Sequence, residues 1–425
     1  MKVPVGGSNE EISADRDGFA LCRHSYLLVT FIPVYKDEVD VLWLERGWHH
    51  DLIQHLHYLT NFRLCAPVLP KDDRGDLVRF DPPPVDQFRL LQLPPQLSKL
   101  GALRALPRTV LTLWRAVGEA EIVHSGVIGW PYPLGWIVNL LTVLRRRELL
   151  IVVESSWLRS DTRRKDWRLT VFDALSHRMA RWSCKHARLA FYTQPTYRNT
   201  LHSGDQARAY VTPAVWINDA DVLDEATALG IWDRKVSEPV RLLFAGRLTV
   251  GKGINVLIDA LRMLEERRIQ VNVDIIGTGQ LREACGRAAD EFRILHLSIL
   301  DPVPYGALFF QLLQRYHCVL IPNLTDEQPR ILFDAGAQAV PVIASDTAGL
   351  RPYVDDNHTG WLIRSGDAGA LASIIERIVT DTPTLRRMGL EALSATRGLS
   401  HTAMHRTRSQ ILMKHFALSS AEQVR

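Results

Sequence analysis

Cysteine is scarce and unpatterned in this 425-residue chain. Cys22, Cys65, Cys184, Cys285 and Cys318 are scattered, odd in number and never spaced CxxC. That pattern gives neither a disulfide framework nor a cysteine zinc site, and a reducing, cytoplasmic setting is expected. Charge of one sign is also lacking. The 51 Lys and Arg against 47 Asp and Glu leave a formal net charge of +4, too little for a protein whose main partner is nucleic acid. An unbroken membrane-length apolar run is missing too. The uncharged stretch 126–144, followed by Arg145-Arg146-Arg147, is interrupted by Gly126, Gly129, Pro131, Pro133 and Gly135. Only Trp136–Leu144 is a continuous helix candidate, so a buried loop and a core helix are expected there. The first residues carry Glu10, Glu11, Asp15 and Asp17 and no apolar segment. Residues 1–20 therefore read as a disordered leader and not as a secretory signal.

What is present points to a folded α/β protein. Hydrophobic residues make up 46% and charged residues 23%, a globular composition, and the length suits two domains. Strands are expected at 26–32, 62–67, 88–92, 121–124, 149–153, 189–192 and 209–211. Helical patterns lie between them at 48–59, 97–117 and 167–183. Several of the strands are apolar without alternation, as in a parallel sheet covered on both faces. A second βα series follows, with strands at 240–245, 271–276, 294–297, 318–321 and 342–344, and helices starting near Gly253, Gly279, Tyr305, Arg330 and Asp367. The expected division is an N-terminal domain at 21–215, an acidic linker at 216–238, a C-terminal domain at 239–398 and a last helical segment at 399–425. That segment has the option of packing back on the N-terminal domain. The expected fold class is two Rossmann-like, doubly wound α/β domains facing each other across a cleft.

Two spans at expected strand ends carry chemistry. In the first, Gly246, Gly251 and Gly253 surround Arg247 and Lys252 on a turn that opens a helix. Glycines let backbone amides approach an oxyanion, and the helix start adds partial positive charge. Two cations there suit a diphosphate, and each contributes on the order of 4 kcal/mol before desolvation. In the second span, Asp326 or Glu327 sits at the mouth of a helix and Asp334 lies about one turn inside it. Carboxylates accept hydrogen bonds from vicinal hydroxyls, so this step suits sugar and ribose. Helix capping by Asp326 is the structural alternative.

The residues Gly246-Arg247-x4-Lys252-Gly253, Gly277-Thr278-Gly279, Asp334-Ala335-x-Ala337-x3-Pro341-Val342 and Asp346-x2-Gly349-Leu350 resemble the family 4 glycosyltransferases of the GT-B fold. The resemblance covers about 240–381. It implies a retaining hexosyltransferase-like enzyme with a nucleoside diphosphate sugar as donor, no permanently bound cofactor and no metal. Arg247 and Lys252 would bind the diphosphate, the first acid would touch the sugar, and Asp334 would hold the ribose. Gly277, Thr278 and Gly279 would approach the base. The chain departs from the family pattern in having Asp at both positions of a Glu-x7-Glu element. That leaves Asp326 and Glu327 in competition for the sugar, and Arg330 is available as a third cation.

On the acceptor side, His124 and Glu154 end expected strands and are the candidates for touching a polysaccharide, lipid-linked sugar or small-metabolite hydroxyl. The cluster His49, His50, Asp51, His55 and His57 lacks an HExxH spacing and reads as structural or acceptor-lining. The basic run Arg159–Arg168, with Trp157 and Trp167, is a candidate for peripheral contact with the inner face of a membrane. A sugar-nucleotide-binding partner without turnover, or a sugar-nucleotide epimerase, are the alternatives on the same fold.

Overall fold

Leu189–Tyr192 and Cys318–Ile321 are apolar or aromatic at every position, and all four residues of each are buried. Such strands are stable only where both faces of a sheet are covered. A computed structural model describes residues 18–72, 76–95, 98–128, 134–154 and 167–422. Most of the expected leader, Pro131 and Pro133, and nearly all of the Arg159–Arg168 run lie outside the described residues.

Two sheets organise the chain. The first is built from β1 (Tyr26–Val29), β2 (Val34–Lys36), β3 (Leu42–Glu45), β4 (Phe62–Pro70), β5 (Leu77–Phe80), β6 (Phe88–Leu93), β7 (Ile122–Ser125), β8 (Glu148–Val153), β9 (Leu189–Tyr192) and β10 (Ala209–Val211). Its order is β10-β9-β8-β7-β1-β4-β2-β3-β5, with β6 also on β4. The second sheet has β11 (Arg241–Ala245), β12 (Asn272–Ile276), β13 (His296–Leu300), β14 (Cys318–Ile321), β15 (Val342–Ser345) and β16 (Gly360–Ile363), in the order β13-β12-β11-β14-β15-β16. Every pair in it is parallel. Strand order reverses between β11 and β14 in the second sheet and between β1 and β7 in the first. Loops leaving these strands flank a crevice, the place where open α/β sheets bind ligands.

The structure adds elements the sequence did not announce. β2, β3 and β5 form an edge ribbon in which β3 runs antiparallel to both neighbours. These strands are three or four residues long, and Asp37 closes the turn before β3 by accepting from the amides of Val39 and Val41. β13 begins two residues later than expected. Glu265 takes the amides of Arg293, Ile294 and Leu295, which removes them from strand pairing. The stretch 216–238, expected as a linker, contains the helix Glu225–Lys235, capped by Asp224 accepting from Thr227 N at 2.9 Å. Trp232 of that helix is fully buried in the second core, and its indole donates to Ala339 O. β16 and the helix Thr382–Thr396 complete the second domain.

The last helix, His401–Glu422, returns to the first sheet. Leu412 and Phe416 are buried with Tyr26, Leu28 and Phe62. Among the described residues, no helix is long and apolar enough to cross a membrane.

Candidate functional site

β11 ends at Ala245, and the chain turns at Gly246 against the neighbouring strand end. Gly246 N donates to Ile276 O and Leu248 N to Thr278 O, which laces the turn to Gly277–Gly279. The segment then tightens into a short 3-10 turn, Val250–Lys252, and Gly253 takes φ 75° as the helix Ile254–Glu266 begins. A Cβ at Gly253 would overlap the carbonyl of Pro322. That close approach joins the loops leaving β11 and β14, and Leu324 N donates to Gly251 O at 2.9 Å across the same seam. The second sheet's reversal point therefore carries both spans singled out from the sequence.

Their charges meet there. Lys252 Nζ lies 3.0 Å from Glu327 Oε1, and Arg247 Nη2 lies 3.7 Å from Glu327 Oε2. Thr325 Oγ1 donates to the same carboxylate. Arg247 is 74% exposed and Lys252 only 13%, so Arg247 is free to swing while Lys252 is fixed. Burial lowers the Lys252 pKa, and Glu327 opposes that shift. Burial works to raise the Glu327 carboxyl, yet Lys252, Thr325 and Arg247 together outweigh it and hold the group below its ordinary value.

The two acids point in different directions. Glu327 faces the cations. Asp326 turns the other way, its Oδ1 accepting from Ala348 N at 3.1 Å. Asp326 does not cap the helix Ile331–Ala337, which has no side-chain cap and begins just after Pro329 and Arg330. Gly349 completes this arrangement, since a side chain there would strike the carbonyls of Asp326 and Glu327.

Asp334 is 2% exposed, and Tyr305 OH donates to its Oδ1 at 2.8 Å. Burial pushes its carboxyl up to about 7 against the opposing effects of Tyr305 and Arg330. The small residues after it have a packing reason. Gly336 meets Thr396 of the helix Thr382–Thr396 with no room for a methyl.

The acid loop also touches the first domain. Gln194 Nε2, just beyond β9, donates to Asp326 O at 2.7 Å; Ala214 N donates to Gln328 Oε1 at 3.0 Å; Tyr353 OH donates to Thr193 O at 2.9 Å. Arg330 stacks its guanidinium 4.5 Å from the Trp216 ring.

Across this junction, at the first sheet's reversal point, lies a cavity of about 130 Å³ lined by Thr30, His124, Glu154, Asp51, His55 and Arg408, among others. His124 is held by Tyr26 OH at 2.9 Å, and burial drives its imidazole well below the ordinary value. Glu154 directly follows β8 with its side chain exposed, yet surrounding protein and then Asp51 raise its carboxyl, while Arg408, His55 and Arg330 oppose this. The structure brings His124 and Glu154 into one cavity. Arg408 was missed from sequence, with its neighbours His401 and His405. They lie at i, i+4 and i+7 on one face of the last helix, a spacing visible in the chain, but Asp51, which the two histidines face, is 350 and 354 residues away. Arg408 Nε donates to Thr212 Oγ1.

Residues 233–394 match the family described as glycosyl transferases group 1. The chain is 30% identical over 153 residues to the amylovoran biosynthesis glycosyltransferase AmsK of Erwinia amylovora, covering 33% of this chain and 36% of that one. It is 30% identical over 218 residues to the D-inositol 3-phosphate glycosyltransferase of Nocardia farcinica, covering 48% and 47%. The matches thus span about a third to a half of these curated relatives. Among solved structures, the sucrose-phosphate synthase of Thermosynechococcus elongatus superposes with a TM-score of 0.67 at 17% identity, over 93% of this chain and 100% of that one. Anabaena Alr3699/HepE in complex with UDP-glucose gives 0.62 at 16%, over 93% and 100%. At these identities the structural likeness establishes the fold, which is GT-B. The likeness to the group 1 glycosyl transferases lies in residues 233–394.

Proposed function

We propose that this protein is a retaining glycosyltransferase that moves a sugar from a nucleoside diphosphate sugar to a hydroxyl acceptor. The observation that carries this reading is the meeting of Arg247, Lys252 and Glu327 at the reversal point of the second sheet, beside a first-domain cavity. In this reading the donor diphosphate displaces the Glu327 carboxylate from the two cations. Arg247 and Lys252 then stabilise the charge that grows on the departing diphosphate, which is where preorganised cations contribute most to rate. Lys252, fixed, and Arg247, free to close on the ligand, supply at the diphosphate what a metal supplies elsewhere, so the donor step is metal-independent. Glu327, released, is placed to meet the sugar. The buried Asp334 receives the ribose hydroxyls in exchange for its bond from Tyr305. The acceptor enters the cavity of His124 and Glu154, and its hydroxyl proton passes to the departing phosphate oxygen.

The test is a panel of nucleoside diphosphate sugars scored first by thermal stabilisation, then by product formation with anomeric configuration read by NMR. Stabilisation by a nucleotide-sugar and a product of unchanged configuration are expected. Inverted product overturns the retaining mechanism, and no stabilisation by any donor overturns the assignment.

The acceptor class is read from a surface. Leu100, Leu103, Leu111 and Trp114 are exposed along the helix Lys99–Gly118, and Leu140 and Leu144 along the neighbouring helix Gly135–Leu144. Neither helix contains an acidic residue, while Arg104, Arg108 and Arg115 share the first and Arg145-Arg146-Arg147 follows the second. An apolar face rimmed by arginine suits the interface of an anionic bilayer, adjacent in sequence to the Arg159–Arg168 run. We place the protein peripherally on the cytoplasmic face of a membrane, acting on a lipid-linked sugar. The five buried, unpaired cysteines fit that reducing side.

A further inference from the structure

Behind the acceptor cavity, three groups from opposite ends of the chain converge. Asp51 lies on the helix Arg46–Leu56, and His401 and His405 open the last helix. His401 Nε2 and His405 Nε2 each lie 3.1 Å from Asp51 Oδ1, and the three candidate ligand atoms all fall within 4.8 Å of one another. Both imidazoles are fully buried. The edge of a tetrahedron around a zinc ion with bonds of about 2.0–2.1 Å is about 3.4 Å, close to the two 3.1 Å nitrogen–oxygen separations.

We propose that Asp51, His401 and His405 form a binding site for a divalent transition-metal ion, of which Zn²⁺ is the representative. Two imidazole nitrogens and one carboxylate oxygen make a donor set that such ions favour, with an open position left for a fourth ligand. The nitrogens are already aimed. His405 is oriented by Tyr58, whose hydroxyl lies 3.3 Å from Nδ1 and leaves Nε2 toward Asp51. His401 is sandwiched between Trp216, at 5.4 Å and 11°, and His50, at 4.5 Å and 28°. His55 stands behind the carboxylate, its Nδ1 3.0 Å from Asp51 O and 3.4 Å from Oδ2. Outer groups of this kind orient metal ligands.

The consequence of binding is a clamp. The ion would tie the last helix, which leaves the second domain, to the first domain behind the cavity that holds Glu154 and Arg408.

The full chain, stripped with chelator, is titrated with Zn²⁺ against a chromogenic competitor, and separately with Co²⁺ while visible absorption is followed. One Zn²⁺ per chain is expected, with a Co²⁺ d–d band of a low-coordinate N/O site. Asp51→Asn and His405→Gln should each weaken Zn²⁺ binding by at least about 100-fold, and the milder Tyr58→Phe by about 10-fold. Tyr58→Phe keeps the test decisive if the ligand variants fail to fold. Absence of stoichiometric Zn²⁺ binding by the wild-type chain overturns the site, as does Zn²⁺ affinity unchanged in all the folded variants.

Discussion

Lys252 donates from its largely buried ammonium to the Glu327 carboxylate at 3.0 Å, and this pair, with Arg247 on the other carboxylate oxygen, links the charges of the two spans that define the donor side. The pair is ionised and half-shielded, so a diphosphate competes for Lys252 with an acid already in place. Lys252→Ala should lower transfer by about 10²–10³-fold, the loss seen when one preorganised donor to a developing charge is removed, with the folded state retained. Near-wild-type turnover of a folded Lys252→Ala chain is incompatible with the assignment.

Glu327→Gln separates the two roles of that acid. Removing its charge frees Lys252 and Arg247, so the nucleoside diphosphate alone should bind at least as tightly as to wild type by calorimetry. Transfer should nonetheless fall, because the sugar loses its carboxylate. Asp326→Asn, whose amide oxygen still accepts from Ala348 N, should change transfer far less. If Asp326→Asn proves the more damaging of the two, the sugar contact belongs to Asp326.

Asp334 makes stability depend on pH in an unusual direction. Its carboxyl is buried and pushed up to about 7 in the folded chain, against about 3.9 when unfolded. Between those values the folded state holds the proton and the unfolded state does not, so stability falls as pH rises from about 4 to 7. The whole effect is on the order of 4 kcal/mol by linkage. Asp334→Asn keeps an acceptor for Tyr305 and removes the titration. Its melting temperature should therefore match that of wild type near pH 4 and exceed it increasingly up to pH 8, while nucleotide binding weakens. Parallel melting curves for the two proteins across that range contradict the account.

These roles were unevenly legible in the sequence. Arg247 and Lys252 stood out because glycine, strand end and helix start are all local signals. The loop of Asp326 and Glu327 was harder, since one residue of phase decides which acid faces inward. The backbone settles it through long-range bonds to Gln194 and Ala348. Arg408 and the histidines beside it were missed for the same reason. Their helical spacing was readable, but what they face is fixed only when the last helix crosses to the first sheet. The helix Glu225–Lys235 was hidden by its acidic start, which is its cap.

Gly253 is the tightest constraint on the donor turn. It sits at φ 75° with the Pro322 carbonyl where a methyl would be. Gly253→Ala incurs the left-handed strain, about 1–3 kcal/mol, and pushes the two loops apart. The expected outcome is a lower melting temperature together with loss of nucleotide-dependent stabilisation. Retention of full stabilisation by the donor nucleotide in Gly253→Ala would mean the seam between the β11 and β14 loops does not shape the site.

The membrane surface makes a prediction independent of all of these. Eight of the eighteen exposed large apolar side chains among the described residues fall on Lys99–Gly118, Gly135–Leu144 and Trp167–His186, helices that pack side by side in that order. Leu103 is 64% exposed and Leu144 63%, so neither contributes much to folding, and burying each in a bilayer interface returns about 1.5–3 kcal/mol. Leu103→Glu with Leu144→Glu should therefore leave the melting temperature and transfer to a soluble acceptor unchanged. Sedimentation with vesicles rich in anionic lipid should fall by at least about 10-fold. Wild-type binding should also weaken with added salt, because the arginines act through a screened potential. Equal sedimentation of wild type and the double variant would remove this face from the account and leave the lipid-linked acceptor without support.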